Sequence, residues 1–276
     1  AVAMVLARWL LVLFGVGRGA GLVLTGVLAI QPLILLSAAT GASESMLLAI
    51  ALYATLHLTR WLRKDDPWHL AHTGFGLGLA YLVRYEAVAA ALITVLIVLG
   101  VSLWRSRGGR RARTLFLLDC LLVGGPFAAS FGAWALASRL VAGSWFATYT
   151  SLYGNTAQVT NARETIDKVT GGNFEGVLAY LTAQLFAVAP FALLFVVIAM
   201  VIAALRRDAG VLGSAAVLGG ILAFDEWAFM SGSSFGWLRF QLMAIPWGVV
   251  MAGYILAALR EGAGRLALRR IAAWTV

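Results

Sequence analysis

Four charged side chains stand where an otherwise apolar chain turns. Glu44 lies in Gly41-Ala42-Ser43-Glu44-Ser45, Arg84 and Glu86 flank Tyr85, and Arg239 lies in Trp237-Leu238-Arg239-Phe240. A carboxylate can serve as a general base or hold a cation, and a guanidinium can grip a phosphate through its planar fork. Gathered at one membrane face, these residues would make a site for a phosphate-bearing substrate. Each also has a plainer reading. Glu44 would be a solvated turn acid favoured by the dipole of the helix entering at Met46, with Ser43 as N-cap. Arg84 and Glu86 would be a local interfacial ion pair of little worth, and Arg239 a snorkelling anchor. Asp225 and Glu226, beside Trp227, are a weaker candidate for an acid/base pair or a cation site.

Other reactive side chains carry less. His69 and His72 are three residues apart and His57 is near them in sequence, but no third ligand stands at metal spacing, so all three read as structural. Asp119 lies about one turn inside an apolar segment and is expected to pair with a neighbouring arginine. Cys120 is the one cysteine, so an internal disulfide is excluded and it reads as a small core residue. The sequence has no phosphate loop and no HExxH, and the lack of the first argues against ATP-driven work by this chain alone.

The elements that must position these residues are membrane helices. Hydrophobic residues make up 62% and charged residues 12% of the chain, and the mean hydropathy is +0.90. A soluble domain carries about 25% charged residues. Apolar segments at 2–14, 22–40, 46–62, 70–83, 87–104, 115–137, 177–205, 211–229 and 240–259 predict an all-α, polytopic bundle of about nine transmembrane helices. They fill residues 1–276 as one transmembrane domain. Pro32 falls where a kink is tolerated, and Gly74, Gly76 and Gly78 would let another helix approach closely.

The net charge of +9 follows the same alternation. Arg18, Arg60 to Lys64, Arg105 to Arg113, Arg206, Arg207 and the C-terminal arginines share one face, which the positive-inside rule makes cytoplasmic. That accounts for the charge without a nucleic-acid partner. Glu44, Arg84, Glu86, Asp225, Glu226 and Arg239 fall on the opposite, extracytoplasmic face, with a polar loop at about 139–176. Trp145, Phe146, Tyr149 and Tyr153 argue for packing of that loop, with helix expected at 161–169 and ended by Gly171-Gly172. The C-terminus is then cytoplasmic, and the Arg-rich, Lys-poor composition points to the plasma membrane of a prokaryote. The chain opens inside an apolar run, as a fragment of a longer protein would.

The order PLILLSAATGASES, a further span, a basic turn and GLAYLVRYEA resembles the GT-C superfamily of polytopic membrane glycosyltransferases. That superfamily includes the protein O-mannosyltransferases and lipid A aminoarabinose transferases. AGSWFATYTSLYGNTAQ is similar to the family's extracytoplasmic segment, and SSFGWLRFQLMAIPW to its late arginine-containing segment, so the likeness covers 22–247. The resemblance implies an enzyme that takes a sugar from a polyprenyl-phosphate carrier and transfers it to a protein, lipid or glycan acceptor outside the membrane. It implies substrate-binding roles for Glu44, Arg84, Glu86 and Arg239, and it leaves room for a divalent metal ion. The family's acidic catalytic motif lies between its first and second spans, a region this chain is expected to lack, so no catalytic base is assigned. The alternatives are a transporter or flippase-like protein for a lipid-linked or small polar substrate, and a non-catalytic membrane subunit.

Overall fold

Asp65 and Asp66 show how local chemistry punctuates this chain. Asp65 adopts a left-handed conformation (φ 57°) and closes α4 (Ser43–Lys64). Asp66 then caps α5 (Pro67–Val83), its carboxylate accepting from the Trp68 amide at 3.0 Å, with Pro67 in the first helical position. The outcome is a tight antiparallel hairpin that returns the end of α5 to the start of α4.

The computed structural model describes residues 1–107, 115–151 and 155–274; the basic-loop residues Arg110, Arg111 and Arg113, and Tyr153, lie outside them. The described residues are helical, with no strand. Before the hairpin come α1 (Val2–Leu13), α2 (Arg18–Ala29) and α3 (Pro32–Ala39). After it come α6 (Ala87–Arg107), α7 (Leu115–Ala142), the short α8 (Ala147–Thr150), α9 (Asn155–Thr170), α10 (Phe174–Val188) and α11 (Ala192–Arg206). Helix α12 (Val211–Met230) contains one π turn at Ala215–Gly219. A 3₁₀ segment, Leu238–Met243, leads into α13 (Ala244–Trp274).

Among the described residues, five helical segments are long and apolar enough to cross a membrane, or up to seven if each of two bent pairs is one span. This is a multi-pass helical membrane protein. The bent pairs are α2–α3, broken by 61° ahead of Pro32, and α10–α11, broken by 83°. The first break sits where Pro32 allows it. The second corrects the reading of 177–205 as one continuous helix: Pro190 has no amide hydrogen to continue the ladder from α10. The polar stretch at 139–176 is also more helical than expected. It takes in the last turn of α7, all of α8 and α9, and α9 starts at Asn155 rather than near 161. Gly171 and Gly172, both at positive φ, end it as expected.

In lipid the hydrophobic effect does not draw helices together; close packing and polar contacts do. Gly74 and Gly78, one turn apart on α5, lie against the backbone of α7. A Cβ at Gly74 would fall 2.5 Å from the Leu122 carbonyl oxygen, and one at Gly78 would fall 2.9 Å from that of Pro126. Neither carbonyl can move without displacing a helix. Gly74→Leu should therefore push α5 from α7 and cost about 1–3 kcal/mol or more, read as a lower thermal midpoint in detergent. An unchanged midpoint would contradict this packing. The core lies at α4, α12 and the start of α13, where 67% of each apolar stretch is buried, against 11% for α7. Leu117, Leu118 and Leu121 leave α7's outer face apolar and exposed, as a lipid-facing surface requires.

One end of the bundle is tied by arginines. Arg63 meets Asp208 at 2.5 Å, donates to the Leu13 carbonyl and lies over the Phe14 ring. Arg105 pairs with Asp65 at 2.8 Å, and Arg206 with Glu261 at 2.9 Å. The other end carries the candidate site.

Candidate functional site

Arg84 is the extended residue (φ −152°, ψ 134°) between α5 and α6, and this break turns its guanidinium back across the hairpin. Its Nη1 donates to Glu44 Oε1 at 2.5 Å, while Nε and Nη2 donate to Glu86 Oε1 at 3.1 and 2.5 Å. Arg239, just inside the 3₁₀ segment, brings its Nε to 3.3 Å from the same Glu44 oxygen. The four residues singled out from sequence thus form one cluster, drawn from the start of α4, the α5–α6 link and the approach to α13.

The cluster is not the loose surface feature that the plainer readings describe. Glu44 is 4% and Glu86 2% exposed. Glu44 sits in the first turn of α4, near amides that favour a negative charge. Ser43 is not the N-cap: Ala42 holds that position, and the Ser43 hydroxyl approaches Glu44 Oε2 at 3.5 Å instead. Burial alone would make the Arg84 charge costlier, but Glu86 and Glu44 outweigh it and hold Arg84 protonated more firmly than an ordinary arginine. Burial, aided by the Glu86 charge, pushes the Tyr85 hydroxyl up to about 12, so it stays a neutral donor.

These pairings alter the expected division of labour. The Arg84 fork is committed to two carboxylates, so Arg84 is an internal clamp and not a free phosphate ligand. Arg239 differs: its side chain is 44% exposed, and its guanidinium lies 4.0 Å from the centre of the Trp237 ring. Trp237 stacks on Phe235 at 4.8 Å and on Phe240 at 6.0 Å. Arg84, Glu86, Arg239 and these three rings line a cavity of about 260 Å³, with Tyr85 and with Gln158 from α9 on its wall. A stacked aromatic wall beside an exposed guanidinium suits a ligand with an apolar face and an anionic group.

Asp225, on α12, is 7% exposed and lies within electrostatic reach of Glu86, Arg84, Glu226 and Glu44. It joins the cluster from behind the cavity. Glu226, one position on, turns instead toward Gln241. The two adjacent acids thus have different main neighbours, while Asp225 still feels the Glu226 charge. Glu86 Oε2 is buried with no hydrogen-bond partner among the described residues. No group of three or more His, Cys, Asp or Glu is placed to hold a metal ion among those residues. Between Glu44 and Glu86 the guanidinium of Arg84 supplies the positive charge.

Elsewhere, the three histidines converge on the α4–α5 hairpin, toward the arginine-tied end. His57 Nδ1 lies 3.1 Å from His69 Nδ1, and the His57 ring stacks on His72 at 4.6 Å. Asp119 accepts from the Ser102 hydroxyl at 2.6 Å. Sequence reasoning missed Phe235 and Gln158. An aromatic pair around one glycine, Phe235-Gly236-Trp237, was the available signal for the first; nothing local marked the second.

Comparison with family models, with curated proteins and with solved structures finds no match for this chain. Fold and site define a class: a multi-pass helical membrane protein with a buried ion-pair cluster and an aromatic, arginine-bearing cavity at one end.

Proposed function

We propose that this chain is the membrane domain of a GT-C-like glycosyltransferase that takes a sugar from a polyprenyl-phosphate carrier. The reading has nine spans, counting Val2–Leu13 and Pro67–Val83. The latter, at 17 residues, is at the lower edge of the usual length. It places the C-terminus in the cytoplasm of a prokaryote and the cavity on the extracytoplasmic side of the plasma membrane. The observation that carries the proposal is the cavity, where an exposed guanidinium and a stacked aromatic wall lie beside a buried carboxylate–arginine cluster.

In this account Arg239 holds the carrier phosphate, and the ring faces of Trp237 and Phe240 take the apolar side of the sugar. An acceptor hydroxyl attacks the anomeric carbon. The new bond forms between acceptor oxygen and that carbon as the carbon–oxygen bond to phosphate breaks. The hydroxyl proton passes to a base not assigned to any residue here, and Arg239 stabilises the charge gathering on the departing phosphate. Glu44 and Glu86 act indirectly by fixing Arg84, and Glu44 also holds the Nε side of Arg239.

A transporter is the second reading, because the two bent helix pairs and the π turn in α12 resemble the interrupted spans that transporters use. One experiment separates the two. Proteoliposomes holding the full-length protein are given a labelled polyprenyl-phosphate sugar and candidate acceptors. The proposal expects label to move onto an acceptor. Labelled carrier crossing the bilayer intact, without transfer, would favour the transporter and overturn the proposal.

A further inference from the structure

The cavity wall is held from behind by two side chains that line no part of the charged cluster. Tyr180 and Gln184 lie one turn apart on α10, ahead of its break. The Tyr180 hydroxyl donates to the Gly236 carbonyl at 3.0 Å, and Gln184 Nε2 donates to the same oxygen at 2.5 Å. One carbonyl oxygen offers two lone pairs, and both are engaged. Because a carbonyl only accepts, the Gln184 amide must turn its nitrogen toward it. Its Oε1 is then left buried with no partner among the described residues, an unfavourable state offset by the bond on the other side.

Gly236 is gripped on a third side. A Cβ there would fall 2.6 Å from Phe229 Cζ and 2.7 Å from Tyr180 Cε1, and those two rings pack at 5.7 Å. Any larger residue there would have to displace one of these rings. The gripped carbonyl belongs to the peptide that leads into Trp237, so the grip fixes the backbone from which the cavity wall projects. Trp237 in turn carries Arg239 on its ring face at 4.0 Å. We infer that Tyr180 and Gln184 are positioning residues: they hold the Gly236 carbonyl so that Trp237 presents Arg239 to the ligand.

This inference rests on the proposed ligand site, and its test separates the two. Tyr180→Phe, Gln184→Leu and the double variant of the full-length protein in nanodiscs are titrated with farnesyl monophosphate as probe. The emission of Trp237 is read in parallel, as the difference between each protein and its Trp237→Phe counterpart. The double variant should bind the probe at least about tenfold more weakly and shift the Trp237 emission. In an Arg239→Ala background it should add little further loss, because residues acting through one group are non-additive. Normal binding with unchanged Trp237 emission overturns the inference, as does a full additive loss on top of Arg239→Ala. If the wild type does not bind the probe, the ligand-site reading fails, and the Trp237 emission alone decides the positioning role. Should the double variant fail to fold, Tyr180→Phe, which deletes one oxygen, carries the same two readouts.

Discussion

Arg84→Ala should destabilise the protein by about 3–5 kcal/mol, the range for removing one partner from a buried ion pair. The substitution leaves Glu44 and Glu86, 4% and 2% exposed, without the guanidinium that compensates both. Most of the expected cost comes from those stranded carboxylates, not from lost attraction. The cost should therefore shrink when the acids are neutralised as well. Arg84→Ala combined with Glu44→Gln and Glu86→Gln should recover much of the lost thermal midpoint, while Arg84→Lys, which keeps the charge but not the fork, should fall between. Thermal unfolding in nanodiscs measures all of these. An Arg84→Ala variant as stable as the wild type would remove the clamp from the account.

Arg239→Ala should behave in the opposite way. Its contact with Glu44 is 3.3 Å and its side chain 44% exposed, so the loss in stability should stay below about 1 kcal/mol. Binding of a phosphate-bearing isoprenoid should nevertheless weaken about ten- to a hundredfold, the equivalent of about 1.5–3 kcal/mol for a charge-assisted hydrogen bond. Arg239→Lys restores charge without the planar face that lies on Trp237, so it should recover only part of the affinity. Isothermal titration with a short-chain isoprenyl phosphate reads the difference. Equal affinity in wild type and Arg239→Ala would move the phosphate elsewhere.

The opposite outcomes expected for two arginines of one cluster mark the boundary of what sequence could disclose. That Glu44, Arg84, Glu86 and Arg239 share one end follows from the alternation of apolar segments and turns, and the structure brings all four together. Which arginine is committed internally depends on how closely the start of α4 approaches the end of α5, and no local pattern encodes that distance. The readings of Glu44 as solvated and Ser43 as cap failed for the same reason. The Pro190 break was hidden because the residues on both sides are apolar, so hydropathy runs on through a bend of 83°. The stacking of the histidines was more nearly legible. His57 lies eight residues before the left-handed Asp65 and His72 seven after it, so a tight hairpin must bring them level. Gly74 and Gly78 announced a close helix approach, but not that α7 would be the helix approaching.

The most direct test of the central claim is to crosslink a photoactivatable polyprenyl-phosphate sugar analogue to the full-length protein in nanodiscs and map the labelled residues by mass spectrometry. The account predicts labelling within Phe235–Phe240 and at Gln158, reduced by unlabelled carrier and by Arg239→Ala. Labelling confined to the arginine-tied end, or labelling indifferent to Arg239, would contradict it.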